Sequence, residues 1–481
     1  MTVSQPGVNR VFLGTFVHAK SLGELEFLHN TAICVDASGK IVAVQKDCNQ
    51  QKAVETLYAG LGWSLEDVAV TMARDGCQFF FPGFIDTHIH APQYPNAGVF
   101  GKTTLLDWLN TYTFPMEASL SSLPRARRVY TRCIRRTLAH GTTTAAYYAT
   151  IDVNATNLLA DLCHAMGQRA FVGRMCMDHL GPDYYLDESA EHALAATRAT
   201  VDHIRSLDGA FDLVSPILTP RFAPACSSEL MKGLSEIQKQ TNLPMQTHIS
   251  ENVNEIELVK ELFPGSKSYA DVYDTHGILN ERMVLAHAVH LTEEEADLIA
   301  ERKAKIAHCP CSNTALTSGV ARIRWLLEKG IQVGLGTDMS GGYSPSILEA
   351  ARQAKMVSNH LVAPDGRIES APQEERDRAK LSVEEVLYLA TRGGAQVLGL
   401  ADRVGAFEVG MQWDAQLIDL GAVPDEVHED NQVLYSNVDI FGWETWEERV
   451  AKWVFNGDDR NTKKVWVRGR LVHEQKYTLS N

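Results

Sequence analysis

The sequence has no long apolar run: none of its hydrophobic stretches approaches the roughly 20 residues that a membrane-spanning helix needs. Residues 1–10 contain no basic stretch followed by an apolar core, so we expect no secretory signal. The nine cysteines lie between Cys34 and Cys311 without the close spacing of a small disulfide framework. Together these absences favour a reducing compartment, and we expect a cytoplasmic protein.

Basic residues are outnumbered by acidic ones. The chain has 45 Lys and Arg residues against 60 Asp and Glu residues, which gives a formal net charge of −15. A nucleic-acid backbone binds clustered Lys and Arg side chains, so an acidic chain is a poor general partner for it. We therefore expect any nucleobase that the protein binds to be a free small molecule. We expect neither a nucleic acid polymer nor a membrane as a partner.

Strand-like and helical segments alternate through the middle of the chain. Eight strand-like segments are separated by segments of helical periodicity over about 300 residues, which is the pattern of a (β/α)8 barrel. Helix starts at Thr292 and Ser382 fit the capping-box pattern. The predicted strands cover residues 79–85, 142–148, 169–177, 213–218, 244–248, 283–288, 305–308 and 332–337.

Both ends of the chain are also rich in short strand-like segments, which suggests one unit built from the two termini. We expect an α/β fold in which residues 81–399 form the catalytic (β/α)8 barrel. Residues 1–80 and 400–481 are expected to form a composite β-sandwich domain. The segment 50–78 has mixed periodicity and receives no assignment. The terminal strand-like segments are 11–17, 31–35, 40–44, 414–420 and 464–472.

A His-x-His pair follows the first predicted barrel strand. Because side chains alternate along a strand, His88 and His90 point to the same side, a few ångströms apart. Neutral imidazole is the commonest metal ligand in proteins, so the pair is a candidate half of a zinc site. A bare His-x-His is as often an accidental pair on a solvated loop. The interpretation therefore depends on ligands supplied by distant parts of the chain.

Polar residues appear where other predicted barrel strands end, which is where the catalytic groups of a (β/α)8 barrel lie. His248 and Glu251 lie at the end of the fifth strand, His287 at the end of the sixth and Asp338 at the end of the eighth. Three of these residues have a plainer alternative. His287 could be a core histidine, Asp338 the N-cap of a turn, and Glu251 a surface residue that opens a helix.

The ordered set of four histidines and one aspartate resembles the metal-dependent amidohydrolase superfamily. Longer motifs are similar to those of the members that deaminate guanine, and the similarity covers about residues 80 to 400 together with 455–461. Met339 and Pro345 depart from the family pattern, but neither carries a ligand atom. The motifs are HIHAPQY at 88–94, LTPRF at 218–222, THISEN at 247–252, AHCP at 307–310 and GTDMSGGY at 336–343.

The resemblance implies one catalytic zinc ion per chain. It assigns the zinc ligands as His88, His90, His248 and Asp338. Dinuclear relatives bridge two ions with a carboxylated lysine near the end of the fourth strand. No lysine occurs here between Lys102 and Lys232, so a single ion is expected. His308 is expected behind the site, and Cys309 and Cys311 either pack beneath it or bind metal.

The resemblance also implies catalytic and substrate-binding roles. Glu251 would carry a proton between the attacking water and the ring, while His287 and Asp338 would orient that water or take its proton. Arg221 could instead form a structural salt bridge. The residues expected to contact substrate are Gln93, Arg221, Phe222, His90, His248, Glu251 and Asp338.

The expected reaction is the zinc-dependent hydrolysis of guanine to xanthine and ammonia, in purine catabolism, by a homodimer. An arginine at the C6 carbonyl would reject adenine, which carries an amine there. One alternative is a related zinc aminohydrolase that acts on another purine, a pterin or a triazine. The other is a non-enzymatic scaffold that has kept the barrel.

Overall fold

Strands near both ends of the sequence flank a central run of parallel strands along the chain. The computed structural model describes residues 7–48, 55, 57, 59–63, 68–102, 104–362, 372–424 and 436–475. The first strands are β1 Asn9–Ser21, β2 Glu24–Val35, β3 Ile41–Gln45, β4 Val68–Met72 and β5 Gln78–Pro82. The central strands are β6 Phe84–His90, β7 Thr142–Tyr148, β8 Arg169–Gly173, β9 Met175–Cys176, β10 Val214–Pro216, β11 Thr219–Pro220, β12 Met245–Ile249, β13 Met283–His287, β14 Lys305–His308 and β15 Val333–Leu335. The last strands are β16 Ala415–Asp419, β17 Gly421–Ala422, β18 Asp439–Ile440, β19 Thr462–Val467 and β20 Arg470–Glu474.

One sheet contains strands from both termini, in the order β20-β19-β16-β5-β1-β2-β3, with β4 beside β1. Aromatic residues from the two ends form its buried cluster, in which the Phe12 and Trp413 rings stack at 4.0 Å. Burial of such large side chains strongly favours folding. The predicted β-rich unit made from both termini is confirmed. Its exact boundaries at residues 80 and 400 stay a prediction.

The central strands follow each other in parallel, in chain order. β6, β7, β8 and β10 form one four-stranded sheet, and β12, β13, β14 and β15 form another. A parallel bridge between Leu218 and Met245 connects the two sheets on one side. On the other side, Thr87 Oγ1 donates to Leu335 O at 2.8 Å and the Asp338 amide donates to His88 O at 2.8 Å. This is the strand order of a (β/α)8 barrel, as the sequence predicts.

Two strand predictions need correction. The strand expected at residues 169–177 is divided into β8 and β9, which pair in different sheets. Residues 79–85, expected as a single buried strand, are divided between β5 in the terminal sheet and β6 in the barrel. The break falls at Gly83, where a Cβ atom would lie 2.1 Å from Thr143 Oγ1. Only glycine allows so close an approach, so the chain passes from one sheet to the other at this residue.

Helices connect the strands, and capping boxes at Thr292 and Ser382 are present as predicted. None of the helices in the described ranges is long and apolar enough to cross a membrane. The α-helices are Leu105–Trp108, Phe114–Ala118, Leu123–Ala139, Val153–Met166, Ala190–Leu207, Ser228–Thr241, Val253–Leu262, Tyr269–Thr275, Glu293–Glu301, Pro310–Ala315, Ile323–Glu328, Ile347–His360, Gln373–Ala379, Val383–Tyr388, Gly394–Val397 and Trp446–Asn456. Short 3-10 helices cover Ala91–Asn96, Ser119–Ser121 and Ala223–Ala225, and π-helical turns cover Leu109–Thr113 and Leu389–Gly393.

Candidate active site and metal centre

The fold brings the predicted metal ligands together at the carboxyl ends of the barrel strands. His88 and His90 lie at the end of β6, His248 lies near the end of β12, and Asp338 follows β15. His248 is partly exposed and the other three are buried. Asp338 also adopts a left-handed backbone with φ of 46°, an uncommon conformation for a residue other than glycine. Such strained residues cluster at functional sites.

The ligand atoms of these four side chains have the spacing of a metal coordination shell. His90 Nε2 lies 3.3 Å from His88 Nε2 and 3.2 Å from His248 Nε2. Asp338 Oδ1 lies 3.2 Å from His88 Nε2 and 3.4 Å from His90 Nε2. In a tetrahedral zinc site with bonds of about 2.0–2.1 Å, neighbouring ligand atoms are about 3.3 Å apart. The three imidazoles and the carboxylate therefore fit one divalent cation.

The protonation states of these histidines and of Asp338 also suit the binding of a cation. Burial lowers the pKa of His88, and burial together with neighbouring histidines lowers those of His90 and His248 much further. These rings are neutral, with lone pairs available to a cation. Burial would raise the pKa of Asp338, but the neighbouring His88, together with His287 and His248, outweighs it and the pKa falls to about 2. His248 Nδ1 donates to Arg221 O at 2.5 Å, which leaves its Nε2 for the cation.

Beside the ligand set, His287 lies between two carboxylates. Its Nε2 is 3.5 Å from Glu251 Oε2 and 3.8 Å from Asp338 Oδ2. Burial would lower the pKa of His287, but Glu251 and Asp338 outweigh it and raise the pKa. Burial raises the pKa of Glu251 to about 7, although His287 opposes the shift. A carboxyl that titrates near neutral pH is suited to proton transfer.

A cavity opens above these groups. Apolar side chains contribute much of its wall, as is usual for small-molecule sites. All seven residues predicted to contact substrate line it. Its wall consists of His90, Gln93, Leu105, Trp108, Leu109, Arg221, Phe222, His248, Glu251, Glu255, His287, Leu316 and Asp338.

Arg221 is expected either to contact substrate or to form a structural salt bridge, and its position is compatible with both. It lines the cavity, and it also forms a buried salt bridge with Glu117, with distances of 2.8 Å to Oε2 and 3.2 Å to Oε1. Glu117 Oε1 also accepts a hydrogen bond from Gln93 Nε2 at 2.7 Å. Glu117 is absent from the sequence prediction because it lies in the short helix Phe114–Ala118, outside every motif.

Two other polar residues at the site were also missed. Asn313 Oδ1 lies 2.9 Å from His287 Nδ1, and Ser318 Oγ donates to Glu251 Oε1 at 3.2 Å. Asn313 lies three residues after the AHCP motif at 307–310, and this proximity is the only signal that the sequence offers. Asn313 contacts His287 and Ser318 contacts Glu251, and neither Asn313 nor Ser318 is part of the cavity wall.

The remaining predicted residues lie behind the ligand set. His308 is buried, and burial lowers its pKa to about 3. Cys309 forms a second candidate metal group with His88 and His287. Burial raises the pKa of its thiol strongly, so the thiol is protonated when no cation is bound to it. Cys311 is likewise buried with a raised pKa.

Comparisons with known proteins agree with this site. The model of the amidohydrolase family matches residues 79–472. A probable guanine deaminase of Schizosaccharomyces pombe is 48% identical over 98% of this chain and 85% of its own length. A guanine deaminase of Rattus norvegicus is 41% identical over 96% of each chain. The crystal structure of guanine deaminase from C. acetobutylicum, with guanine bound in its active site, superposes with a TM-score of 0.82. It is 32% identical, over 97% of this chain and 100% of that one.

Proposed function

The chain belongs to the amidohydrolase family, and we propose that it hydrolyses guanine to xanthine and ammonia. Its near full-length similarity to guanine deaminases supports this reaction. The observation that carries the proposal is the arrangement of one cavity. Four metal-ligand candidates line or adjoin it, together with Glu251 and the N–H donors of Gln93 and Arg221.

We propose zinc as the metal, with one ion per chain. His88, His90, His248 and Asp338 would hold it, which is the nitrogen and oxygen set that zinc prefers. A zinc ion held there would supply the Lewis acidity that makes water a nucleophile near neutral pH. The fourth barrel position ends at Pro220 and continues into Arg221 and Phe222, so it offers no lysine to bridge a second ion.

Proton transfers are assigned to the groups beside the ligand set. The water that attacks C2 gives up two protons in turn. Glu251 delivers the first to a ring nitrogen and, after receiving the second by way of His287 and Asp338, protonates the departing amine. With a pKa of about 7, this carboxyl can serve as both acceptor and donor. His287 and Asp338 orient the water and relay its second proton. His287 Nε2 lies 3.8 Å from Asp338 Oδ2, so the proton can pass between them. The C2–N bond breaks, a C2–O bond forms, and ammonia leaves.

The other side of the cavity recognises the base. Arg221 and Gln93 donate hydrogen bonds to the C6 carbonyl of guanine, and Phe222 packs against the ring. Adenine presents an amine at C6, which is itself a donor, so the same groups reject it. The cavity is thus matched to a purine that carries a carbonyl at C6 and an amine at C2.

The test is release of ammonia from guanine by the purified protein, with xanthine followed by its absorbance. We expect turnover that a chelator abolishes and added zinc restores. Adenine, a pterin and an aminotriazine serve as competing substrates. A preference for one of these would favour a related aminohydrolase. Absence of turnover on all of them by zinc-loaded protein would favour a scaffold without enzymatic activity.

We also propose that the protein acts in the cytoplasm, in purine catabolism, as a homodimer. Nine buried free cysteines, from Cys34 to Cys311, suit a reducing compartment. The dimer rests on the resemblance to guanine-deaminating enzymes. Sedimentation or light scattering of the purified protein tests it.

A further inference from the structure

Glu117 connects two substrate-binding candidates that lie far apart in the sequence. Its side chain is fully buried, and its two oxygens take hydrogen bonds from both terminal nitrogens of Arg221. Oε1 takes a further hydrogen bond from Gln93 Nε2. The Phe114 ring covers the Arg221 guanidinium at 4.9 Å. Glu117 itself is absent from the cavity wall, so it acts through its two partners.

These contacts fix the orientation of the Gln93 amide. A glutamine side chain can turn over and exchange its oxygen for its nitrogen, and its hydrogen bonds decide between the two arrangements. Here a carboxylate, which only accepts, holds the Nε2 end at 2.7 Å. The backbone amide of Ser340, which only donates, faces Oε1 at 3.4 Å. Both contacts select the same orientation of the amide.

Gln93 Nε2 and Arg221 Nη2 meet at one oxygen of Glu117 and are therefore neighbours. An amide nitrogen carries two hydrogens and a guanidinium carries five, so each residue keeps hydrogens that Glu117 does not take. Both residues line the cavity. Together they therefore present two adjacent N–H donors, which can both bind the same acceptor atom of a ligand.

The charge of Glu117 matters as well. An unpaired guanidinium in a buried site is strongly unfavourable. The Glu117 carboxylate neutralises the charge of the Arg221 guanidinium. The paired corner of the cavity then suits a neutral base rather than an anion. Without the carboxylate, the Gln93 amide would be free to turn and offer its oxygen, which accepts from an amine as readily as its nitrogen donates to a carbonyl.

We propose that Glu117 is a positioning residue that selects purines with a carbonyl at C6, because it holds Gln93 and Arg221 with their N–H groups toward that atom. This inference rests on the proposed deamination of guanine. It adds that the discrimination between 6-oxo and 6-amino purines depends on a carboxylate that does not touch the base.

The experiment compares guanine with 2,6-diaminopurine, which has the same amine at C2 but an amine at C6. Glu117→Gln keeps the shape of the side chain while removing its charge and allowing both amides to turn. We expect kcat/KM for guanine to fall on the order of 10- to 100-fold, the scale of one hydrogen bond to a charged group. For 2,6-diaminopurine it should stay within a few-fold, so the preference for guanine shrinks with metal content unchanged.

Asp414→Asn is the matched control. Asp414 forms a comparably buried salt bridge with Arg169, at 3.1 Å, outside the cavity wall. Its loss should lower the melting temperature and leave the guanine preference unchanged. Equal losses on both substrates in Glu117→Gln, or the same change of preference in the control, would show that Glu117 only supports the fold.

If Glu117→Gln does not fold, Glu117→Asp provides a second test of the proposal. The aspartate retains the charge opposite Arg221 but is one methylene too short to hold Gln93 as well. We expect a smaller preference for guanine here also, and an unchanged preference would overturn the proposal. Failure of the parent protein to release ammonia from guanine is a separate result, which would refute the proposed function itself.

Discussion

His287 donates a hydrogen bond from Nδ1 to Oδ1 of Asn313 at 2.9 Å. Because the amide oxygen only accepts, this contact places a proton on Nδ1 and directs Nε2 toward Glu251 and Asp338. A single neighbour therefore sets the orientation of the ring that faces the proposed water. At the same strand end His287 has a left-handed backbone with φ of 76°, a strained conformation of the kind that clusters at functional sites.

Replacing Asn313 tests this relationship. We expect Asn313→Ala to lower kcat by about 10- to 100-fold, the usual effect of losing a partner that orients a functional histidine. Metal content should not change, since Asn313 belongs to no ligand set. Asn313→Asp keeps an acceptor at the same position and should retain more activity. Parent-like turnover in Asn313→Ala would mean that other contacts hold His287.

Metal stoichiometry tests the ligand assignment. Elemental analysis should find one zinc ion per chain in the parent protein. His248→Ala should lose zinc and activity, because the remaining three side chains leave the coordination shell incomplete. His308→Ala is the control, since it removes a buried histidine that lies outside the proposed set. Two tightly bound ions per parent chain would contradict the assignment.

Glu251 is expected to carry protons without binding the metal. Glu251→Gln preserves the shape and the hydrogen bond from Ser318 but cannot accept and release a proton. We expect kcat to fall by roughly 10²–10⁴-fold, the usual contribution of a placed acid or base. Zinc should remain bound. Turnover within a few-fold of the parent would assign the proton transfer to another group.

Arg221 decides between guanine and its analogues. Arg221→Ala removes a charged donor, which is worth roughly 1.5–3 kcal/mol, or about 10- to 150-fold in kcat/KM for guanine. The effect on 2-aminopurine, which lacks the carbonyl, should be much smaller. Stability should also fall, because the Glu117 carboxylate is left buried without its partner. Equal losses on the two bases would assign Arg221 to the fold alone.

Gly83 is expected to be essential for the passage from the terminal sheet to the barrel. A methyl group at this position would lie 2.1 Å from Thr143 Oγ1 and 2.2 Å from its Cγ2. Gly83→Ala should therefore destabilise the protein by about 1–3 kcal/mol, as overpacking of a core does. Thermal unfolding measures the change. Gly60→Ala is the control, because among the described residues, apart from its chain neighbours and its own helix backbone, nothing lies within 4 Å of the added methyl group, and its melting temperature should not fall below that of the parent.

The sequence determined the barrel and most of its site. Alternating strands and helices predict the (β/α)8 order, and the two-residue period of a strand places His88 beside His90. His248 and Asp338 lie at later strand ends, and the resemblance to the amidohydrolase family predicts that they join this pair. The distances of 3.2–3.4 Å between ligand atoms are in keeping with that prediction. These features are readable because each depends on local periodicity, on the general placement of catalytic groups in barrels or on the motifs of the family.

The tertiary structure decided which side chains hold the site in place. Glu117 lies 104 residues from Arg221, and Asn313 lies 26 residues from His287. Neither has a spacing that marks its partner, because both contacts arise only when segments from different strand–helix units come together at the carboxyl ends of the strands. The break at Gly83 is also a tertiary effect, since Thr143 of the neighbouring strand creates the steric requirement. Local pattern specifies the elements, whereas the pairing of distant side chains depends on how those elements pack.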